Sequence, residues 1–225
     1  MQKFLDWLER VLTPLAKVIG ENKYLVAIRD GFLLSTPLLI VGSVFLLIAN
    51  FPLPQWDTWM SHLLGKDWAT MMSVPASASF DVMTILAVVG IAYSLGKQFN
   101  VDAMQAGIIA LVSFFIVTPY QTLFTPENSS KVYEVTSLPL KWMGSSGLFL
   151  GMIVALIATR LFVAIVRKGW TIKMPEGVPP TVVKSFEALI PSFLVVTLMF
   201  LVNWLAALTS YGNLQDVIFE FLQTP

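Results

Sequence analysis

Residues 147–166, GLFLGMIVALIATRLFVAIV, form an apolar run interrupted by a single charged side chain, Arg160. The hydrocarbon core of a bilayer requires about 20 such residues in helical form. Four more apolar runs of similar length occupy residues 27–49, 78–96, 104–123 and 188–210. The sequence therefore predicts an all-α membrane protein with five transmembrane helices, whose two chain ends lie on opposite faces of the membrane.

The overall composition excludes several classes of function. Hydrophobic residues make up 56% of the chain and charged residues 12%, whereas soluble domains contain about 25% charged residues. There is no cysteine, and His62 is the single histidine, so disulfides and thiol chemistry are excluded and a metal site would need unusual ligands. Because 14 basic residues balance 14 acidic ones, no net field attracts nucleic acid. We expect no metal, no cofactor and no nucleic-acid partner.

The distribution of basic residues predicts the orientation in the membrane. Short loops rich in lysine and arginine stay in the cytoplasm. The side that contains the N-terminus, Lys97 and the loop between the fourth and fifth runs is rich in them, and the other side has only Lys66, Lys131 and Lys141. We therefore expect the N-terminus to be cytoplasmic.

Both ends of the chain are amphipathic rather than continuously apolar. In residues 1–26 an apolar helical stripe alternates with charged positions, which predicts a helix lying on the inner membrane surface. A helix packed on the protein's own cytoplasmic loops is the alternative. Residues 211–225 show the same kind of pattern, with Leu214, Val217 and Ile218 on one face. They predict the start of an amphipathic helix on the outer surface.

A row of small side chains predicts a packing face on the fourth helix. Gly147, Gly151, Ala155 and Thr159 recur every four residues, and such rows let two helices approach closely in lipid. The partner is either another span of the same chain or a second copy of the protein. Asn203 in the fifth run is explained by a hydrogen bond between helices.

No group of residues in the sequence predicts catalysis. Facing carboxylates, a Ser–His pair and a glycine-rich phosphate loop are all missing, as is the chain of acidic and histidine side chains that many proton-coupled transporters use. We therefore assign no catalytic residue. If a solute crosses the membrane here, the energy comes from another source.

The loop between the fourth and fifth runs is stiff. It contains the sequence IKMPEGVPP at residues 172–180, where prolines fix φ and glycine permits a turn. Such a segment presents a defined shape at the cytoplasmic face, and a structural elbow is the simplest interpretation. The residues that define this motif are Lys173, Pro175, Gly177, Pro179 and Pro180.

Four other segments belong with this loop: SFEALIP at residues 185–191, VTPY at 117–120, NVDAMQAG at 100–107 and LTPLAKVIGENKYLVAIRDGF at 12–32. Together with the loop, they resemble the membrane-spanning IIC subunit of bacterial sugar phosphotransferase systems. The similarity is to the lactose, cellobiose and diacetylchitobiose family. It implies a permease in the bacterial cell membrane that moves a β-linked disaccharide inward. Partner IIB and IIA subunits would carry out the phosphoryl transfer.

The same resemblance implies that this chain corresponds to an N-terminal half. Family members are about twice as long, and their sugar ligands lie in the second half, so no substrate-binding residue is assigned here. Residues 27–210 would then be a scaffold and homodimerisation domain, and the helix that starts in residues 211–225 would link it to the second half. Two alternatives remain open: a free-standing membrane assembly module without transport activity, and a small solute carrier.

Overall fold

The computed structural model describes residues 20–126, 131–209 and 211–220. The helix expected over residues 1–26 falls mainly on residues 1–19, which lie outside the described residues, as does the end of the segment 211–225. Within the described ranges, four helical stretches are long and apolar enough to cross a membrane: Lys23–Ala49, Trp68–Gln98, Ser145–Arg167 and Pro180–Ala207. A fifth apolar helix, Ala103–Val117, is shorter.

Helix α1 (Lys23–Ala49) begins where the side chain of Asn22 accepts hydrogen bonds from the backbone N–H groups of Tyr24 and Leu25. This capping satisfies donors that the first turn leaves unpaired. Most of the apolar side chains that follow are exposed, and the buried positions are small ones such as Gly31 and Gly42. Helix α1 therefore contacts its neighbours along a narrow stripe of small residues.

The next part of the chain folds back along α1. After the short helix α2 (Trp56–Leu64), helices α3 (Trp68–Phe80) and α4 (Met83–Gln98) follow one another across a break of two residues. Gly42 lies against Ser79 of α3, and Gly31 lies against Gly90 and Ile91 of α4. Both pairings fit one antiparallel run, so the stretch expected to start at residue 78 starts ten residues earlier, at Trp68.

Helix α5 (Ala103–Val117) is shorter than the predicted run of residues 104–123. It ends because Thr118 is extended and the next residue, Pro119, cannot donate a backbone hydrogen bond. The chain then forms an antiparallel hairpin of strands β1 (Gln121–Phe124) and β2 (Tyr133–Thr136). The all-α prediction is therefore wrong at this hairpin, although the described chain is mostly helical.

The remaining elements complete the bundle. A short helix α6 (Leu140–Met143) and a 3₁₀ turn (Ser145–Gly147) lead into α7 (Leu148–Arg167). The proline-rich loop ends in α8 (Pro180–Glu187), which precedes α9 (Leu189–Ala207) and the short α10 (Leu214–Ile218). Helix α4 lies at the centre, in contact with α1, α5 and α7.

Candidate functional site

The row of small residues on α7 lies inside the chain. Ala155 and Thr159 are fully buried, and a Cβ added at Gly151 would lie 2.7 Å from the Cγ2 of Thr84 and 3.0 Å from that of Val88, both on α4. The contact partner that the structure places against this row is therefore a helix of the same chain.

Gly147 has a different role from the other members of the row. It belongs to the 3₁₀ turn before α7, and a Cβ there would collide with the backbone carbonyl of Trp142. The hydroxyl of Thr84 donates a 2.6 Å hydrogen bond to the carbonyl of Gly144 in the same region. Small residues thus allow the chain to turn tightly against α4 at this end of the bundle.

The segment after α9 is anchored at that same end. Gln215 on α10 is buried, and its amide donates to the hydroxyl of Thr118, which in turn donates to the carbonyl of Phe114. Beside it, the rings of Trp142 and Phe219 meet edge to face with centroids 5.7 Å apart. Helix α10 therefore packs on the bundle. Its continuation as an outer-surface linker helix stays a prediction.

The proline-rich loop has the bend that its sequence predicts. Gly177 has φ of +94°, a conformation that side chains with a Cβ rarely adopt. Pro179 occupies the N-cap and Pro180 the first position of α8, where a proline loses no helical hydrogen bond. Lys173 and Pro175 are exposed. The loop therefore presents a shaped, solvent-accessible surface that runs into α8.

A cleft of about 150 Å³ lies next to this loop, between the start of α5, the end of α7 and α8. Asp102 caps α5 by accepting from the backbone of Gln105 at 3.1 Å, and its other oxygen lies 3.5 Å from the ammonium of Lys184 on α8. Glu187 also lines the cleft. Charges of both signs meet here, so the cleft suits polar or charged groups of a partner.

Sequence reasoning missed Asp102, Lys184 and Glu187 because they lie on two different elements. The available signal was local: Asp102 directly precedes a helical run, as an N-cap residue does, and the amphipathic α8 follows the double proline. Neither signal indicates that the two elements meet. Among the described residues, no group of three histidine, aspartate or glutamate side chains could hold a metal ion.

Three buried polar atoms have no hydrogen-bond partner among the described residues: Gln98 Nε2, Thr159 Oγ1 and Asn203 Oδ1. Asn203 lies in the apolar helix α9, where we expected a hydrogen bond to another helix. The structure gives its side-chain oxygen no such bond. An unpaired polar group in this environment costs free energy, so Asn203 is the clearest candidate for a contact with a group outside the described chain.

Comparison with known proteins identifies the relatives of this bundle. The family model "Phosphotransferase system, EIIC" matches residues 29–225. The "PTS system cellobiose-specific EIIC component" of Geobacillus stearothermophilus is 38% identical over 226 residues, which cover 100% of this chain and 50% of the relative. For the "Lichenan permease IIC component" of Bacillus subtilis the identity is 39%, with the same two coverages.

A solved structure matches equally well. The crystal structure of the transporter ChbC, the IIC component from the N,N'-diacetylchitobiose-specific phosphotransferase system, superposes with a TM-score of 0.91 at 41% identity. The match covers 96% of this chain and 50% of that one. The chain thus spans about half the length of the curated relatives that it matches.

Proposed function

Because the chain belongs to the phosphotransferase system EIIC family, we propose that it forms the scaffold part of a sugar permease in a bacterial cell membrane. The observation that carries the proposal is the family match over residues 29–225, combined with a bundle whose helices approach at glycines. In lipid, helices associate through close packing rather than hydrophobic burial. A bundle packed in this way suits a part against which another part of the transporter moves.

The proposed substrate class is a β-linked disaccharide. Support comes from the relatives, which are named for cellobiose, lichenan and N,N'-diacetylchitobiose, all of them β-linked sugars. We assign no sugar ligand in this chain. Translocation would be coupled to phosphorylation on partner IIB and IIA subunits, so the permease itself needs no catalytic residue.

The proposed arrangement has five crossings, with α5 as the third, and a cytoplasmic N-terminus. Its support is that Lys23, Lys97, Arg160 and Arg167 gather around Tyr93 and Phe99, at one end of the bundle. Positive charge on one side favours the cytoplasm. Residues 27–210 then form the scaffold domain, and the segments 1–26 and 211–225 are its surface helices.

The proline-rich loop and the adjoining Asp102–Lys184 cleft form the proposed docking face for the IIB subunit. Both lie at the same end as the basic residues, and the loop is exposed and conformationally restricted. Replacing Pro179 and Pro180 by alanine should leave membrane insertion unchanged and reduce phosphorylation-coupled uptake. Full uptake by a well-inserted variant would exclude this face.

Homodimerisation of the permease is also proposed, although not through the row on α7, because Gly151, Ala155 and Thr159 are buried within one chain. The exposed side of α1 is the better candidate. Its large apolar residues include Leu33, Leu34, Leu38, Val41 and Leu47, which are more than half exposed.

The test of the permease proposal is a chimera. The G. stearothermophilus cellobiose relative would have its matching 226-residue region replaced by this chain, in cells that lack their own cellobiose permease but contain IIA and IIB. Phosphorylation-dependent cellobiose uptake is the expected result. A chimera that inserts at the parental level, yet takes up no β-linked disaccharide while the parent does, would refute it. Solute flux in liposomes containing this chain alone would instead favour a small carrier.

A further inference from the structure

Three basic side chains converge on one aromatic ring at the cytoplasmic end of the bundle. The Nζ of Lys23 lies 4.8 Å from the centroid of Phe99, the Cζ of Arg160 lies 4.9 Å from it, and the Cζ of Arg167 lies 5.3 Å from it. Cation–π attraction operates at these distances. We call Lys23, Arg160, Arg167 and Phe99 the Phe99 cluster.

The two arginines lie at different positions along the axis of the same helix. Seven residues separate them on α7, which is about 10 Å along the helix axis, yet both guanidinium groups reach one ring. The Arg160 side chain must therefore extend toward the end of α7, as long basic side chains do when they snorkel to the headgroup level. The cluster thus concentrates three positive charges at the inner boundary of the membrane.

No carboxylate neutralises these charges within the described residues. The ion pairs there are Arg29 with Asp30 and Lys184 with Asp102, and neither includes a member of the cluster. Lys23 donates to the carbonyl of Gln98 at 3.3 Å and Arg167 to that of Phe99 at 3.2 Å, which caps the end of α4. Ammonium and guanidinium groups carry more N–H donors than these two bonds use, so donors remain for an anion.

An apolar groove leads away from the cluster along the membrane-facing surface. It is an open depression of about 380 Å³ lined by Tyr24, Leu156, Ile157, Arg160 and Leu161. Arg160 belongs to both the groove and the cluster, and the Tyr24 ring meets the Phe99 ring edge to face at 6.2 Å. The positive charge at one end of the groove matches the phosphate of an anionic lipid, and the aliphatic surface beyond it matches an acyl chain.

We propose that the Phe99 cluster and this groove form a binding site for an anionic phospholipid, with the phosphate at the three cations and an acyl chain in the groove. Charge complementarity favours this occupant over residues 1–19, because that segment carries three basic and only two acidic side chains. The inference requires only that the bundle is in a membrane, and it holds whether or not the chain transports sugar.

Native mass spectrometry of the detergent-purified chain tests the site directly, with phosphatidylglycerol as the probe and phosphatidylcholine as the neutral comparison. The wild-type chain should bind one phosphatidylglycerol molecule more tightly than it binds phosphatidylcholine. Each basic residue near an anionic lipid contributes about fivefold in affinity. The double variant Arg160→Gln, Arg167→Gln should therefore bind phosphatidylglycerol about 25-fold more weakly, with phosphatidylcholine binding unchanged.

A matched control removes the same charge from the same end of the bundle. Lys97 contacts Tyr93 and Lys168 contacts Trp170 instead of Phe99, so Lys97→Gln with Lys168→Gln should keep the preference. If this control loses as much affinity as the cluster variant, only the general surface charge matters and the site is refuted. Retained preference in the cluster variant refutes it as well.

Two further measurements distinguish a bound lipid from a bound soluble phosphate, and the loss of the site from the misfolding of a variant. Glycerol phosphate should bind far more weakly than phosphatidylglycerol, and equal affinity would indicate a site for soluble phosphates. Ile157→Trp keeps all three cations and fills the groove, so phosphatidylglycerol affinity should fall because the acyl chain loses its van der Waals contacts with the groove. Unchanged affinity in this variant would refute the groove even if the arginine variants fail to fold.

Discussion

A close backbone approach between α1 and α4 gives a sharp test of how the bundle is held together. A Cβ added at Gly31 would lie 2.5 Å from the backbone nitrogen of Ile91 and 2.7 Å from its Cα, and a Cβ at Gly90 would lie 2.6 Å from the carbonyl oxygen of Gly31. Backbone atoms cannot move aside as a side chain can. Gly31→Ala therefore forces the two helices apart.

The size of the effect follows from that displacement. Restoring an ordinary contact distance requires α1 to retreat by about 1 Å, and a gap of about 0.5–1 Å already forfeits a quarter to a half of each van der Waals contact. Overpacking of this kind costs about 1–3 kcal/mol, against a gain of up to about 1 kcal/mol in helix propensity. A net loss of about 1–2 kcal/mol lowers the melting temperature by about 2–8 °C.

Gly107 on α5 supplies the matched control. A Cβ there would lie 3.4 Å from a side-chain atom of Val89, which is an ordinary contact distance. Gly107→Ala therefore gains helix propensity without displacing the backbone, and the melting temperature should stay equal or rise. Thermal denaturation in detergent, followed by size-exclusion chromatography, compares the two variants. The reasoning is wrong if Gly31→Ala is tolerated as well as Gly107→Ala. It also predicts that Gly31→Ala and Gly90→Ala are less than additive, because one separation relieves both clashes.

Three other substitutions test separate parts of the structure. Asn203→Leu removes an unpaired buried oxygen and should raise the melting temperature of the isolated chain, by the equivalent of about 1–3 kcal/mol; an unchanged or lower value would indicate a partner within the chain. Asp102→Ala removes the acceptor for the backbone N–H of Gln105 and should destabilise α5 by about 0.5–2 kcal/mol, measured by chemical denaturation against Asp102→Asn, which keeps a capping oxygen. Gln215→Leu should release α10 from Thr118 and speed its amide hydrogen exchange, while exchange in α4 stays at the wild-type rate.

The long apolar runs could be predicted from the sequence because a bilayer imposes a minimum helix length on any span. The N-cap at Asn22 and the turn at Gly177 also follow local rules of backbone chemistry. The hairpin could not be predicted in this way. Its first strand, QTLF at residues 121–124, directly follows an apolar helix, and apolarity alone does not distinguish four strand residues from a last helical turn.

The early start of α3 shows a second limit of sequence reasoning. Residues 73–79, SVPASAS, are rich in serine and contain Pro75, a composition typical of a loop. They are helical in the structure, where Ser79 lies against Gly42 of α1 and its hydroxyl donates to the carbonyl of Pro75. The tertiary contact with α1 outweighs the local preference.

The Phe99 cluster was beyond sequence reasoning for a related reason, because its members come from α1, from α7 and from the residue that follows α4, at positions as far apart as residues 23 and 167. Only the packing of α1 and α7 on either side of the end of α4 brings them together. That packing depends in turn on the Gly31–Gly90 contact at one interface and on the Gly151 row at the other. Separating α1 from α4 should therefore also move Lys23 away from Phe99. If the lipid site is real, Gly31→Ala will weaken phosphatidylglycerol binding without altering any charge, whereas Gly107→Ala will not.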